Sequence, residues 1–118
     1  MRPLIQQQLF FLQLTGTPDA DGHVILHSVG LKPGGVLTFD IVSTMAVEKN
    51  NAEAVISFHQ GDQAMYLRTV LLVKKNFWYK TRGPIRLPSD WCVQVDFSDL
   101  DADSHCKACF YGYVEYPE

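Results

Sequence analysis

Trp91-Cys92-Val93-Gln94-Val95-Asp96-Phe97-Ser98 decides the fold class. Trp91, Val93, Val95 and Phe97 alternate with Cys92, Gln94, Asp96 and Ser98. This is the two-residue period of a strand with one face in a core and the other outside it. The same rhythm returns along the whole chain, each run ending at a turn signal. Residues 36–42 alternate with Leu37, Phe39 and Ile41 inward and Thr38 and Asp40 outward, and the strand continues past a bend to about 47. Residues 54–60 put Ile56 and Phe58 inward. Further strands are expected at 4–14, 23–28, 66–73, 77–81, 85–87 and about 106–116.

The turns between them are chemically explicit. Thr17-Pro18-Asp19-Ala20-Asp21-Gly22, Lys32-Pro33-Gly34-Gly35, Glu48-Lys49-Asn50-Asn51 and Gly61-Asp62-Gln63 combine fixed φ, side-chain bonds to nearby backbone and tolerance of positive φ. Tyr66 to Val73 is apolar on both faces, which predicts a central or covered strand. The 85–87 run is bracketed by Pro84 and Pro88, which predicts a separate edge strand. One short helix is expected within 45–54. The sum is an all-β, single-domain, jelly-roll-like or Greek-key β-sandwich of about eight strands over residues 9–118, with residues 1–8 read as an N-terminal arm.

Composition narrows the function. Apolar residues make up 47% and charged residues 19%, which hints at a surface buried on a partner. The net charge is −3, and the densest basic group is Lys74, Lys75, Lys80, Arg82 and Arg86. A phosphate-binding surface needs a concentrated positive field, so nucleic acid is not expected as a partner. The apolar run at residues 9–12 is too short to span a membrane or to serve as a leader, so synthesis in the cytosol is expected. Three cysteines, an odd number, fit reduced thiols better than a disulfide framework.

The motifs for chemistry are weak. Cys92, His105, Cys106 and Cys109 carry zinc-ligand residue types, but in a strand Cys106 and Cys109 point to opposite faces. Cys92 and Cys109 could approach across a hairpin. Asp99, Asp101 and Asp103 open like a calcium loop, but Ser104 and Phe110 stand where its Gly and bidentate Glu belong. His23 and His27 share a face and His59 could join them, a cupin-like idea, although four residues separate the first two. No nucleophile elbow, P-loop or dinucleotide fingerprint is present. No enzyme activity, metal or cofactor is expected.

Aromatic parity carries the partner signal. If Ala108, Phe110, Gly112 and Val114 form the core, Tyr111 and Tyr113 lie outside, and Trp78 lies outside with Lys80 and Arg82. Leu4 and Ile5 in the arm are further contact candidates, since an arm can lie along a neighbour's sheet edge.

The stretch from Phe77 to Pro88, then Trp91 to Phe97, with Gly112-Tyr113-Val114 closing the chain, resembles the back half of small jelly-roll proteins of tailed-phage virions. That resemblance covers about the last 60 residues. It implies a non-enzymatic capsid decoration (cementing) protein, a homo-oligomer and in particular a homotrimer, bound to the major capsid protein in the virion. The alternative is a carbohydrate-binding β-sandwich module stacking Trp78, Trp91 or a Tyr on a sugar. A small cupin-like metalloenzyme comes last.

Overall fold

In the computed structural model, which describes residues 5–28, 35–88 and 90–117, the chain forms eight strands. They are β1 (Ile5–Gly16), β2 (Val24–His27), β3 (Val36–Ala46), β4 (Ala52–Gln60), β5 (Gln63–Leu72), β6 (Tyr79–Pro88), β7 (Cys92–Ser98) and β8 (Cys106–Pro117). Two four-stranded sheets face each other: sheet A in the order β1-β8-β3-β6 and sheet B in the order β2-β7-β4-β5. All pairings are antiparallel, and β1 joins β8, β2 joins β7, β3 joins β6 and β4 joins β5. A long antiparallel ribbon rolled up in this way is the eight-stranded jelly roll, so the expected fold class holds.

The inner faces make one core. Phe39, Phe97 and Phe110 are fully buried, with Leu37, Ile56, Leu72, Val93 and Val95 around them. Phe39 meets Phe10 edge-on at 5.9 Å and Phe110 at 5.6 Å between ring centroids. Such aromatic pairs add to the area they bury. Gly112 lets β8 pass close to β3, because a Cβ there would stand 1.9 Å from the Thr38 carbonyl oxygen. Gly22, at φ +78°, brings the 17–23 loop against Leu100, whose backbone N donates to the Gly22 carbonyl.

Four sequence expectations need correction. Ile41 is not a core residue. The β3–β8 register slips between Phe39 and Ile41, so Asp40 is an extra residue and Val42 takes the inward position. A bulge of this kind shifts the alternation by one. The 45–54 stretch holds no helix: β3 runs to Ala46, Asn51 turns at φ 60°, and β4 starts at Ala52. The 77–81 and 85–87 runs are one strand, β6, because Gly83 and Pro84 lie opposite the Asp40 irregularity and pairing resumes at Ile85. β5 is not central; it is the outer strand of sheet B.

The arm expectation divides. Ile5 to Gln8 belong to β1, paired with Val114 to Pro117, so they are not a free arm. Met1 to Leu4, and with them the contact candidate Leu4, lie outside the described residues.

Candidate interaction face

Strand register builds the outer face of sheet A row by row. Leu9 on β1 stands beside Tyr113 on β8, which stands beside Thr38 on β3 and then Arg86 on β6. The next row is Phe11, Tyr111, Ile41 and Arg82, and the third is Gln13, Cys109, Ser43 and Lys80. In the first two rows the β1 and β8 positions are aromatic or aliphatic, and in all three rows the β6 position is basic. Leu9 is 82% exposed and Phe11 64%, while Tyr111 is exposed and Tyr113 half-buried. Large apolar side chains in adjacent rows make a contiguous patch, which isolated exposed hydrophobes do not.

The basic β6 edge is loosely tied down. Arg86 reaches Glu115 at 3.9 Å, and Lys80 and Arg82 are exposed on the same edge strand. A contact of this length leaves the Arg86 side chain 66% exposed, so these charges stay available to a partner.

The structure places the aromatic candidates unequally. Tyr111 and Tyr113 sit in neighbouring rows. Trp78 is half-buried one residue before β6, at the end of sheet A away from Tyr113. The backbone of Ile5 lies on β1 opposite Pro117. Leu9 and Phe11 are the face's most exposed large hydrophobic residues, and the sequence does not single them out. Their alternation with Phe10, Leu12 and Leu14 was the available signal, since those three pack on the core.

The chemistry-bearing residues are dispersed. Cys106 is buried, and its thiol approaches the Gly16 carbonyl at 3.8 Å. Cys109 is on the outer face of sheet A and Cys92 on the outer face of sheet B. They are therefore separated by the whole sandwich and do not meet across a hairpin. All three thiols are free, and burial pushes each above the usual range, Cys106 to about 12. Among the described residues no group of His, Cys, Asp and Glu is arranged to hold a metal. Asp101 instead pairs with Lys49 at 3.3 Å.

His23 stands beside Asp19 in one shallow depression, whereas His27 and His59 line another of about 510 Å³ with Asp90, Trp91, Cys92 and Gln94. All three histidines face away from the apolar interior, where a cupin-type centre would have to lie. Two neighbouring polar pairs are already formed: Ser57 Oγ lies 2.8 Å from His59 Nε2, and Gln94 Nε2 donates to Asp96. No helix among the described residues is long and apolar enough to cross a membrane.

No protein-family model and no curated protein matches the chain. Among solved structures, 97% of this chain superposes on 32% of a chain in the structure of infectious bursal disease virus, Gt strain, at a TM-score of 0.42 and 8% identity. The chain thus spans about a third of that neighbour's length.

Proposed function

We propose that this chain is a non-enzymatic structural protein of a virus particle, a decoration protein that self-associates and binds a lattice of major capsid subunits. The jelly roll alone does not select this reading, because lectin domains and cupins share it. The observation that carries it is the contiguous row pair Leu9–Tyr113 and Phe11–Tyr111 on the outer face of sheet A. An apolar patch beside a basic edge suits a protein partner with an apolar patch and carboxylates around it.

A homotrimer would present three such faces, and weak single contacts would then sum by multivalency. The test is light scattering of the purified chain, followed by co-sedimentation with capsids, for the wild type and for a Phe11→Glu, Tyr111→Glu double variant. Self-association and capsid binding that both fall in the variant support the reading. A wild type that stays monomeric and does not sediment with capsids overturns it.

A carbohydrate-binding role has one observation in its favour. Trp91, His27, His59, Asp90 and Gln94 share one open depression, and an indole rimmed by polar groups suits a sugar ring. Saturable glycan binding that Trp91→Ala abolishes would favour it over the structural reading.

A further inference from the structure

β5 has the sequence of an interior strand and the position of an edge strand. Met65, Tyr66, Leu67, Leu71 and Val73 are exposed along it and at its end, Tyr66 at 64% and Leu71 at 63%. An edge with unpaired backbone groups is a template for another strand, and β5 carries a single charged residue, the exposed Arg68, against the three on β6. The other edges differ. β2 is only four residues long, and β6 carries Pro84, Pro88, Lys80, Arg82 and Arg86. β1 is long but holds no charged residue from Ile5 to Gly16, so nothing along it fixes a register. β5 alone begins after an acidic turn residue, Asp62, and ends before Lys74 and Lys75.

We propose that β5 pairs antiparallel with β5 of a second copy across a two-fold axis, joining two copies of sheet B into one continuous sheet. The inference rests on the reading that this chain self-associates, and it names a surface separate from the face on sheet A. The self-complementary charge points to a second copy: turning one β5 around brings its acidic end to the other's basic end, twice. The bulge sets the phase of the two faces of β5. Arg68 pairs with Ile56 and Tyr66 with Ser57, so Leu67 is the extra residue.

Tyr66, Thr69 and Leu71 then face outward, and Met65, Val70 and Leu72 inward. Keeping outward residues opposite outward residues and setting Asp62 opposite Lys75, with Leu67 left out of the count, centres the axis on Thr69. Tyr66 then falls opposite Leu71 and Met65 opposite Leu72. The Tyr66 hydroxyl lies 2.8 Å from Thr69 Oγ1, which holds that ring over the middle of the seam. Such a contact is isologous and closes on itself, so it yields a discrete pair and not a fibre.

The test uses the full chain with the other face disabled by Phe11→Glu and Tyr111→Glu. Its expected solution mass is twice the 13.4 kDa of one chain. Asp62→Lys or Lys75→Asp alone should weaken pairing about tenfold by setting like charges opposite, and the double exchange should restore it. Thr69→Cys, made with Cys92→Ser and Cys109→Ser, should give a disulfide-linked dimer on mild oxidation, because directly opposed antiparallel residues lie within disulfide reach. A monomeric mass for the disabled chain overturns the seam and leaves the face on sheet A standing. So does a dimer that the charge exchanges do not touch or that Thr69→Cys does not link. A dimer in both the wild type and the disabled chain upholds the seam and removes the self-association assigned to the face on sheet A.

Discussion

Phe11 on β1 stands directly opposite Tyr111 on β8, and both rings lie outside the core, while their neighbour Phe110 lies within it and Phe10 packs against it. One residue of phase thus separates the residues that hold the sandwich together from those offered to a partner. Phe11 is 64% exposed, so Phe11→Glu should change unfolding free energy by no more than about 0.5 kcal/mol. Chemical denaturation of the variant checks this, and a large loss would mean that Phe11 is structural.

Phe110 gives the opposite expectation. It is fully buried against Phe39 at 5.6 Å. Phe110→Ala removes the ring from a close-packed interior and should cost about 3–5 kcal/mol. Tyr111→Ala, one residue on, should cost about 1 kcal/mol or less. Urea unfolding of the two variants side by side reads the contrast.

Glu48 ties the turn after β3 to the start of β8. Its carboxylate accepts from the His105 backbone N and lies 2.9 Å from Nδ1 of the same residue. These bonds hold the Glu48 carboxyl below its ordinary 4.5, and backbone bonds from His23 and Asp21 do the same for Asp19. A carboxyl lowered in the folded state stabilises fully above its unfolded value and loses that contribution as pH falls through the folded one. The melting temperature should therefore drop below about pH 4.5, and Glu48→Gln should flatten that drop without changing its direction. An acid limb identical in the variant would show that the clamp contributes nothing.

The thiols should react in a set order. The thiolate is the nucleophile, and burial pushes Cys106 up to about 12. Alkylation of the native protein should label Cys92 and Cys109 before Cys106, which should react only on unfolding. Because Cys92 and Cys109 lie on opposite outer faces, oxidation should not link them within one chain. Peptide mapping under non-reducing conditions checks both points, and an intrachain 92–109 disulfide would contradict the topology.

Much of this architecture was legible in the sequence, for a physical reason. Val93, Val95 and Phe97 alternate without interruption because β7 lies inside sheet B and its one inner face is fully covered. What was hidden is what two strands decide together. The Asp40 slip depends on β8 and β6, so residues 36–42 could not by themselves reveal that Val42 replaces Ile41. Pro84 read as a break, although pairing to β3 continues on both sides of it. β5 read as interior because both its faces are apolar, a pattern its place in the monomer does not account for. Of the face on sheet A, Tyr111 and Tyr113 are visible from parity. Leu9 and Phe11 are not, because Leu9-Phe10-Phe11-Leu12 is apolar at every position and shows no inward and outward side of its own.

The most direct test of the central claim is the solution mass of the chain by light scattering over a range of concentrations, with and without Phe11→Glu and Tyr111→Glu. The wild type should be heavier than one 13.4 kDa chain, and the variant lighter and still folded. A wild type that holds the mass of a single chain at every concentration would contradict it.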